Sequence, residues 1–214
     1  GYAAGNNIGL NQVRTKYALV LNPDTVLDKN AIRNFLNRKD QTKDFWLMGP
    51  VNDQMVKLEL NGDNLIEVNN LKGFAIFLQL SKFKNKFFDE NYFLYFEEID
   101  LCTRVKNDDG KIYLDPKIKI IHQGGNSVKN TNKFELEKNR NWHWMWSSFY
   151  YHKKYKGFLI SLINIFPKLI SSLIKIIIYS LMLNKKKKEI YFCRLSGICN
   201  SMLGKKSWYR PSLD

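Results

Sequence analysis

Four groups of side chains have types and spacings suited to chemistry. Asp24 closes the apolar run Tyr17-Ala18-Leu19-Val20-Leu21, after Asn22-Pro23. In open α/β sheets ligands collect outside the carboxyl ends of strands, so a carboxylate there can hold a divalent metal, Mg²⁺ or Mn²⁺, that neutralises a diphosphate. The same Asn-Pro-Asp-Thr also reads as an ordinary turn. Glu97-Glu98-Ile99-Asp100 opens a helix, where acids complement the helix dipole whatever else they do. Glu98 shares a face with Leu101, Cys102 and Val105 at i+3, i+4 and i+7, so it is expected to point at the protein body. Glu97, Asp100 and Arg104 are expected to form a polar stripe beside it. A carboxylate aimed inward at a cleft mouth can act as a general base, and desolvation tends to raise its pKa.

The third group is His122, which ends a strand and precedes Gly124-Gly125-Asn126-Ser127, a turn able to approach phosphate oxygens. A histidine in that position also serves as a plain hydrogen-bonded surface residue. The fourth is Gly1-Tyr2-Ala3-Ala4-Gly5-Asn6-Asn7-Ile8-Gly9, whose small residues and Asn6-Asn7 can line a nucleotide or support a tight helix approach. Three cysteines, Cys102, Cys193 and Cys199, fit neither a disulfide framework nor a zinc site, and reduced thiols in the cytosol are the simplest reading.

The elements that must position these groups follow from periodicity and punctuation. Ala3 to Arg14 is expected to be a helix, followed by a strand at Tyr17 to Leu21 that stops at Pro23. Asp28 is expected to cap a helix reaching Arg38, with Ile32, Phe35 and Leu36 on its apolar face. Further strands are expected at Phe45 to Val51, Met55 to Leu60, Leu65 to Val68 and Phe74 to Leu80. A helix from Glu97 to Lys106 leads to Tyr113 to Pro116 and Ile118 to His122. The alternation implies an α/β layered domain with a mainly parallel sheet over residues 1–132, and a helical region over 133–214.

Composition bounds the remainder. With 214 residues, 44% hydrophobic and 25% charged, the chain can bury a core. Its net charge of +14 is concentrated in residues 153–214, where 13 Lys and Arg meet only Glu189 and Asp214, leaving +3 for residues 1–152. Long aliphatic stretches lie in the same basic tail, from Phe158 to Leu183, which favours an anionic membrane surface over nucleic acid. Pro167 is expected to interrupt this segment, leaving Leu169 to Leu183, about 22 Å of helix and short of the roughly 30 Å hydrocarbon core. Lys168, Ser171, Ser172, Lys175 and Tyr179 form a polar stripe on it. The tail is therefore expected to lie peripherally on a membrane, packing against the protein's own body being the alternative.

Five elements in order carry a resemblance. They are Gly-Tyr-Ala-Ala-Gly-Asn-Asn-Ile-Gly-Leu (1–10), Leu-Asn-Pro-Asp-Thr (21–25), Lys-Gly-Phe-Ala-Ile-Phe-Leu (72–78), the stretch from Phe87 through Glu97-Glu98-Ile99-Asp100 to Arg104, and Ile-His-Gln-Gly-Gly-Asn-Ser (121–127). Together they resemble glycosyltransferase family 2, and within it the rhamnosyltransferase-like members acting on bacterial surface polysaccharides. The resemblance implies a GT-A fold, a Rossmann-like sheet flanked by helices, with the family's first strands upstream of Gly1. Asp24 matches the last position of the metal-binding Asp-X-Asp motif, written here Asn22-Pro23-Asp24, so one acid is present where the family has two. Glu98 matches the family's base and His122 a histidine that joins the metal shell in some relatives. Gly73 lies in the stretch bordering the acceptor, with Glu97, Asp100 and Arg104 as supporting residues; Asn7, Asn22 and Asp24 are the donor-side candidates.

The implied reaction is an inverting transfer of a sugar, with rhamnose suggested, from a nucleotide-sugar to a lipid-linked or polysaccharide acceptor. It would run on a divalent metal at the cytoplasmic face of a bacterial inner membrane, with self-association left open. Two other classes compete. A nucleotidyltransferase could share the layered fold, but would want a Gly- and Lys/Arg-rich phosphate loop near its start. A non-catalytic basic membrane- or RNA-binding module would explain the charge and leave Asp24 and the Glu97 to Asp100 cluster idle.

Overall fold

A computed structural model of the chain describes residues 1–42, 44–51, 64–84, 86–122 and 133–211. The expected strand Met55 to Leu60 and the Gly124 to Ser127 turn lie outside the described residues. The chain divides into two compact units: one of Ala4–Asp89 with Glu97–Val128, the other of Lys129–Asp214 with Gly1–Ala3 and Glu90–Phe96.

The first unit is built on a mixed sheet. Helix α1 (Tyr2–Leu10) leads to β1 (Tyr17–Leu21) and β2 (Thr25–Leu27), then α2 (Ala31–Gln41), β3 (Leu47–Val51), β4 (Ile66–Glu67) and β5 (Ala75–Gln79). A 3₁₀ turn at Leu80–Lys82, helix α3 (Glu97–Asn107) and the long strand β6 (Ile112–His122) complete it. The strand order is β1-β5-β3-β6-β2, with β4 also on β6. The expectation of a mainly parallel sheet is wrong: β3 and β6 run parallel, while β1–β5, β3–β5, β2–β6 and β4–β6 are antiparallel.

The local reasons are visible in the residues. β3 and β5 are buried along their whole length, matching their continuous apolar runs. Pro50 cannot donate to a ladder, and the β3–β6 register shifts between Pro50 and Val51. Helix α1 stops at Leu10, short of the expected Arg14. Helix α2 begins at Ala31, three residues after the expected Asp28 cap; Asp28 instead accepts from Asn30 N through Oδ1 at 2.9 Å. Its buried face is Ala31 and Phe35, with Ile32 and Leu36 exposed, because the core meets the helix one step round from the expected face. Phe35 stacks on Phe77 at 4.0 Å and meets Phe45 edge-on, within a cluster that includes Met48, Ala75, Ile118 and Ile120. Buried Asp115 accepts from Arg38 Nε at 3.1 Å and from Lys117 N at 2.9 Å, which satisfies its carboxylate inside the sheet.

The second unit is a three-helix arrangement of α4 (Lys133–Lys156), α5 (Phe158–Leu181) and α6 (Lys185–Met202). Gly157, at φ +80°, reverses the chain between α4 and α5, a conformation that glycine adopts without a Cβ clash. Asn184 caps α6, its side chain accepting from Lys187 N at 3.1 Å. Trp142 and Trp146 are buried and Trp144 is exposed, as alternate spacing on a helix demands. Buried His143 bonds Tyr209 O and Ser207 Oγ, each at 2.9 Å, and burial lowers its pKa to about 4. It therefore fastens the segment after α6 as a neutral ring.

At Gly197 helix α6 lies tight against α4, and any Cβ there would collide with the backbone carbonyl of Trp142. Gly197→Ala is expected to destabilise the helical unit by about 1–3 kcal/mol, the usual cost of overpacking. The urea midpoint of unfolding, followed by tryptophan fluorescence, checks this; an unchanged midpoint would show that α4 and α6 separate freely.

Candidate active site

The site is assembled where the chain leaves β1. Asn22 N donates to Phe74 O at 2.8 Å, and Thr25 Oγ1 donates to Asn22 O at 2.6 Å, folding Asn22-Pro23-Asp24-Thr25 into a turn. The turn delivers β2 onto the far end of β6, with Thr25 opposite His122. Asp24 is thereby set beside His122, with Oδ1 3.2 Å from Nε2. The His122 ring stacks on Phe74, centroids 5.0 Å apart and planes within 9°. Residue 73 comes next, and a Cβ on Gly73 would lie 3.4 Å from Glu98 Cβ and 3.6 Å from its carboxyl carbon. A continuous path of contacts thus runs from Asp24 through His122, Phe74 and Gly73 to Glu98.

The strip before Gly73 is tied to α3 as well, Leu71 N donating to Cys102 Sγ at 3.4 Å. Burial raises the Glu98 pKa above the ordinary carboxylate value, opposed by hydrogen bonds from its own and Ile99 N–H groups and by the positive charge of Lys72. Glu98 is half-buried, less enclosed as a residue than Glu97 and Asp100.

Its neighbours correct the expected polar stripe. Glu97 and Asp100 are the buried acids of α3, while Arg104 turns its guanidinium back into the protein. Arg104 Nε donates to Asp100 Oδ2 at 2.9 Å and its terminal nitrogens donate to Lys86 O and Phe87 O. Because Arg104 satisfies Asp100, the stripe can be buried, and the pair holds residues 86–87 against the helix. Glu97 Oε2 is buried with no hydrogen-bond partner among the described residues. Burial, reinforced by the adjacent Glu98 charge, pushes the Glu97 pKa up to about 8.

Asn7 is engaged differently from the donor-side expectation. Its Nδ2 donates to Phe88 O and its Oδ1 accepts from Phe88 N, each at 2.9 Å, so the amide links α1 to the residue 88 strip. A Cβ at Gly5 or Gly9 would meet nothing within 4 Å among the described residues, so neither glycine marks a tight helix approach there. A groove of about 490 Å³ runs between these glycines and β1.

Among the described residues no three His, Cys, Asp or Glu side chains converge as a metal cage. Asp24 and His122 still present an oxygen and a nitrogen close to the separation of neighbouring ligands on one octahedral ion, about 3.0 Å for bonds of about 2.1 Å. Small divalent ions commonly take one or two protein ligands and fill the other positions with water and phosphate. The donor types and spacing of the pair are compatible with such an ion.

Phe74 and Lys72 were not singled out by type or spacing. Phe74 reads as one more buried strand residue, and only the ring stack shows that it orients His122. Lys72 stands directly before Gly73 in the same stretch, and that adjacency was the available signal.

No family model matches the chain. Over 162 residues it is 26% identical to the "Low-salt glycan biosynthesis hexosyltransferase Agl10" of Haloferax volcanii. The match covers 63% of this chain and 52% of that protein, so it spans about half the length of the relative. The similarity supports a glycosyltransferase.

The geometry around Glu97 makes a pH prediction. With a folded pKa of about 8 against an ordinary 4.5, Glu97 is protonated in the folded protein over a range where the unfolded chain has released the proton. Its contribution to stability is fully present below about pH 4.5 and is lost as pH rises through about 8. Glu97→Gln should therefore raise the urea midpoint at about pH 9 and leave it near the parent's at about pH 4, after charge-independent effects common to both are subtracted. Equal shifts at both pH values would mean that Glu97 titrates normally.

Proposed function

We propose that the sheet unit is the catalytic core of an inverting, family 2-type glycosyltransferase with a GT-A fold. Its substrates would be a nucleotide-sugar and a lipid-linked or polysaccharide acceptor, with rhamnose and other hexose donors first to be tried. The observation that carries this reading is the contact path from the Asp24–His122 pair to Glu98. In this reading a diphosphate would lie at that pair, with Gly73 between it and the partly buried Glu98 carboxylate. The similarity to a hexosyltransferase supports the same class.

In this reading Asp24 and His122 are the residues that would hold Mg²⁺ or Mn²⁺ alongside the donor diphosphate. When bound, the ion neutralises charge on the departing nucleoside diphosphate. Asn22, carrying an amide where a second acid would stand, contributes a neutral hydrogen-bonding group to the phosphates. Phe74 keeps the His122 ring in register with Asp24 by stacking. Gly73 leaves open the space over the Glu98 carboxyl, where an acceptor hydroxyl can enter.

Glu98 then takes the proton of that hydroxyl as its oxygen bonds to the anomeric carbon and the bond to the diphosphate breaks, which inverts the configuration. Burial strengthens Glu98 as a base, while Lys72 keeps its charged form accessible. Asp100 and Arg104 act through structure, by fixing the first turns of α3. Glu97, whose pKa burial pushes up to about 8, places a neutral carboxyl beside Glu98 near neutral pH.

Glu98→Gln in the full-length protein is expected to lower transfer by about 10²–10⁴-fold with donor binding retained. Asp24→Ala should weaken metal-dependent binding of nucleoside diphosphate, and His122→Ala should do so to a smaller extent. Isothermal titration with and without Mn²⁺ measures the second effect. Turnover of Glu98→Gln within tenfold of the parent, or diphosphate binding indifferent to metal, would remove the corresponding role.

A further inference from the structure

The helical unit carries an apolar surface that its own core leaves open. Helix α5 is continuous from Phe158 to Leu181, with Pro167 inside it, so the expected interruption does not occur. It is the one helix among the described residues long and apolar enough to cross a membrane by length and composition. Its polar stripe is turned toward the other helices in part: Ser172 is buried, and Lys168 Nζ reaches Ser148 Oγ on α4 at 3.4 Å. Tyr179 stacks on Tyr191 of α6 and the Lys175 ammonium lies over the same Tyr191 ring.

The opposite face is apolar and exposed. Leu159, Ile163, Phe166, Ile170, Leu173, Ile177 and Leu181 recur every three or four residues, and exposure reaches 72% at Ile163, 61% at Ile177 and 81% at Leu181. The row spans about 33 Å of helix at about 1.5 Å per residue. Both ends are basic: Lys153, Lys154 and Lys156 close α4, and Lys185 to Lys188 open α6. Surfaces this apolar and continuous mark a site of association.

We infer that this face of α5 embeds in one leaflet of an anionic lipid bilayer, with the helix lying in the plane of the membrane. Three observations choose this occupant and orientation. The apolar row is bracketed by lysines at both ends, which anionic head groups of a single leaflet can meet together. A second copy of the same face would bring lysines against lysines whichever way the two helices ran. Spanning is disfavoured by the packing of α5 on α4 and α6 through Ile165, Met145, Phe149 and Ile198. A spanning α5 would carry the charged residues of those two helices into the hydrocarbon with it. The inference concerns the helical unit alone and stands apart from sugar transfer.

Flotation of the full chain with vesicles tests it, using phosphatidylcholine alone and phosphatidylcholine mixed with phosphatidylglycerol. The parent should float with the anionic vesicles and be released by alkaline carbonate. The combined variant Ile163→Glu, Ile170→Glu, Ile177→Glu changes only exposed positions and should bind at least about tenfold more weakly. Its helicity is checked by circular dichroism. Should that variant misfold, a second measurement decides: in a Cys199→Ser background, an environment-sensitive fluorophore on Ile177→Cys should shift to the blue with anionic vesicles. Absence of flotation, parent-like binding by the folded Glu variant, retention in carbonate, or an unshifted fluorophore would each overturn the inference. So would a lipid-free dimer that the Glu variant dissociates without any loss of vesicle binding.

Discussion

The short antiparallel pairing of β2 with the end of β6 is the constraint on which the candidate site depends. Three residues, Thr25 to Leu27, lie against Ile120 to His122, and that register carries Asp24 to His122. Residues nearly a hundred apart in sequence thus become neighbours through a pairing that buries little by itself. It is supported from both sides: Asn22 N holds the turn to Phe74 O, and the Phe74 ring lies under His122. Phe74 also belongs to the aromatic and aliphatic core of the sheet, so site geometry and core packing share one side chain.

Helix α3 supplies the other half of the site by a different balance. Its first turn gathers Glu97, Glu98 and Asp100 where the helix dipole favours them, yet two of these acids are buried. Asp100 is neutralised by Arg104, one turn on, and Glu97 by keeping its proton. Of the three, Glu98 is the least enclosed, with the charge of Lys72 nearby. The two residues before the helix, Tyr95 and Phe96, have φ values of 68° and 71°. Left-handed geometry at two successive aromatic residues costs of order 1–3 kcal/mol each. Packing offsets that strain: both rings lie against Trp144 of α4.

Much of this was legible in the residues. Continuous apolar runs located β1, β3 and β5, and the strand-end positions of Asp24 and His122 followed from Pro23 and from the polar residues after His122. Strand direction was not legible, because a buried run has the same composition whether its partner is parallel or antiparallel; only the pairing decides. The helical wheel of α3 told which acids share a face but not that Arg104 would make the Asp100 side buriable. Pro167 misled for a related reason. It lies on the exposed flank of α5, where a missing hydrogen bond interrupts no packed contact, so the helix continues through it.

If the site from Asp24 to Glu98 works as proposed, sugar transfer there proceeds with inversion. The most direct measurement incubates the full-length protein with a panel of nucleotide-sugars and a lipid-linked acceptor, follows release of nucleoside diphosphate, and reads the product anomer by NMR. The predicted result is acceptor-dependent release from one donor, with the product bond opposite in configuration to that of the donor. Release of diphosphate with retained configuration, or transfer of the nucleotidyl group in place of the sugar, would contradict it.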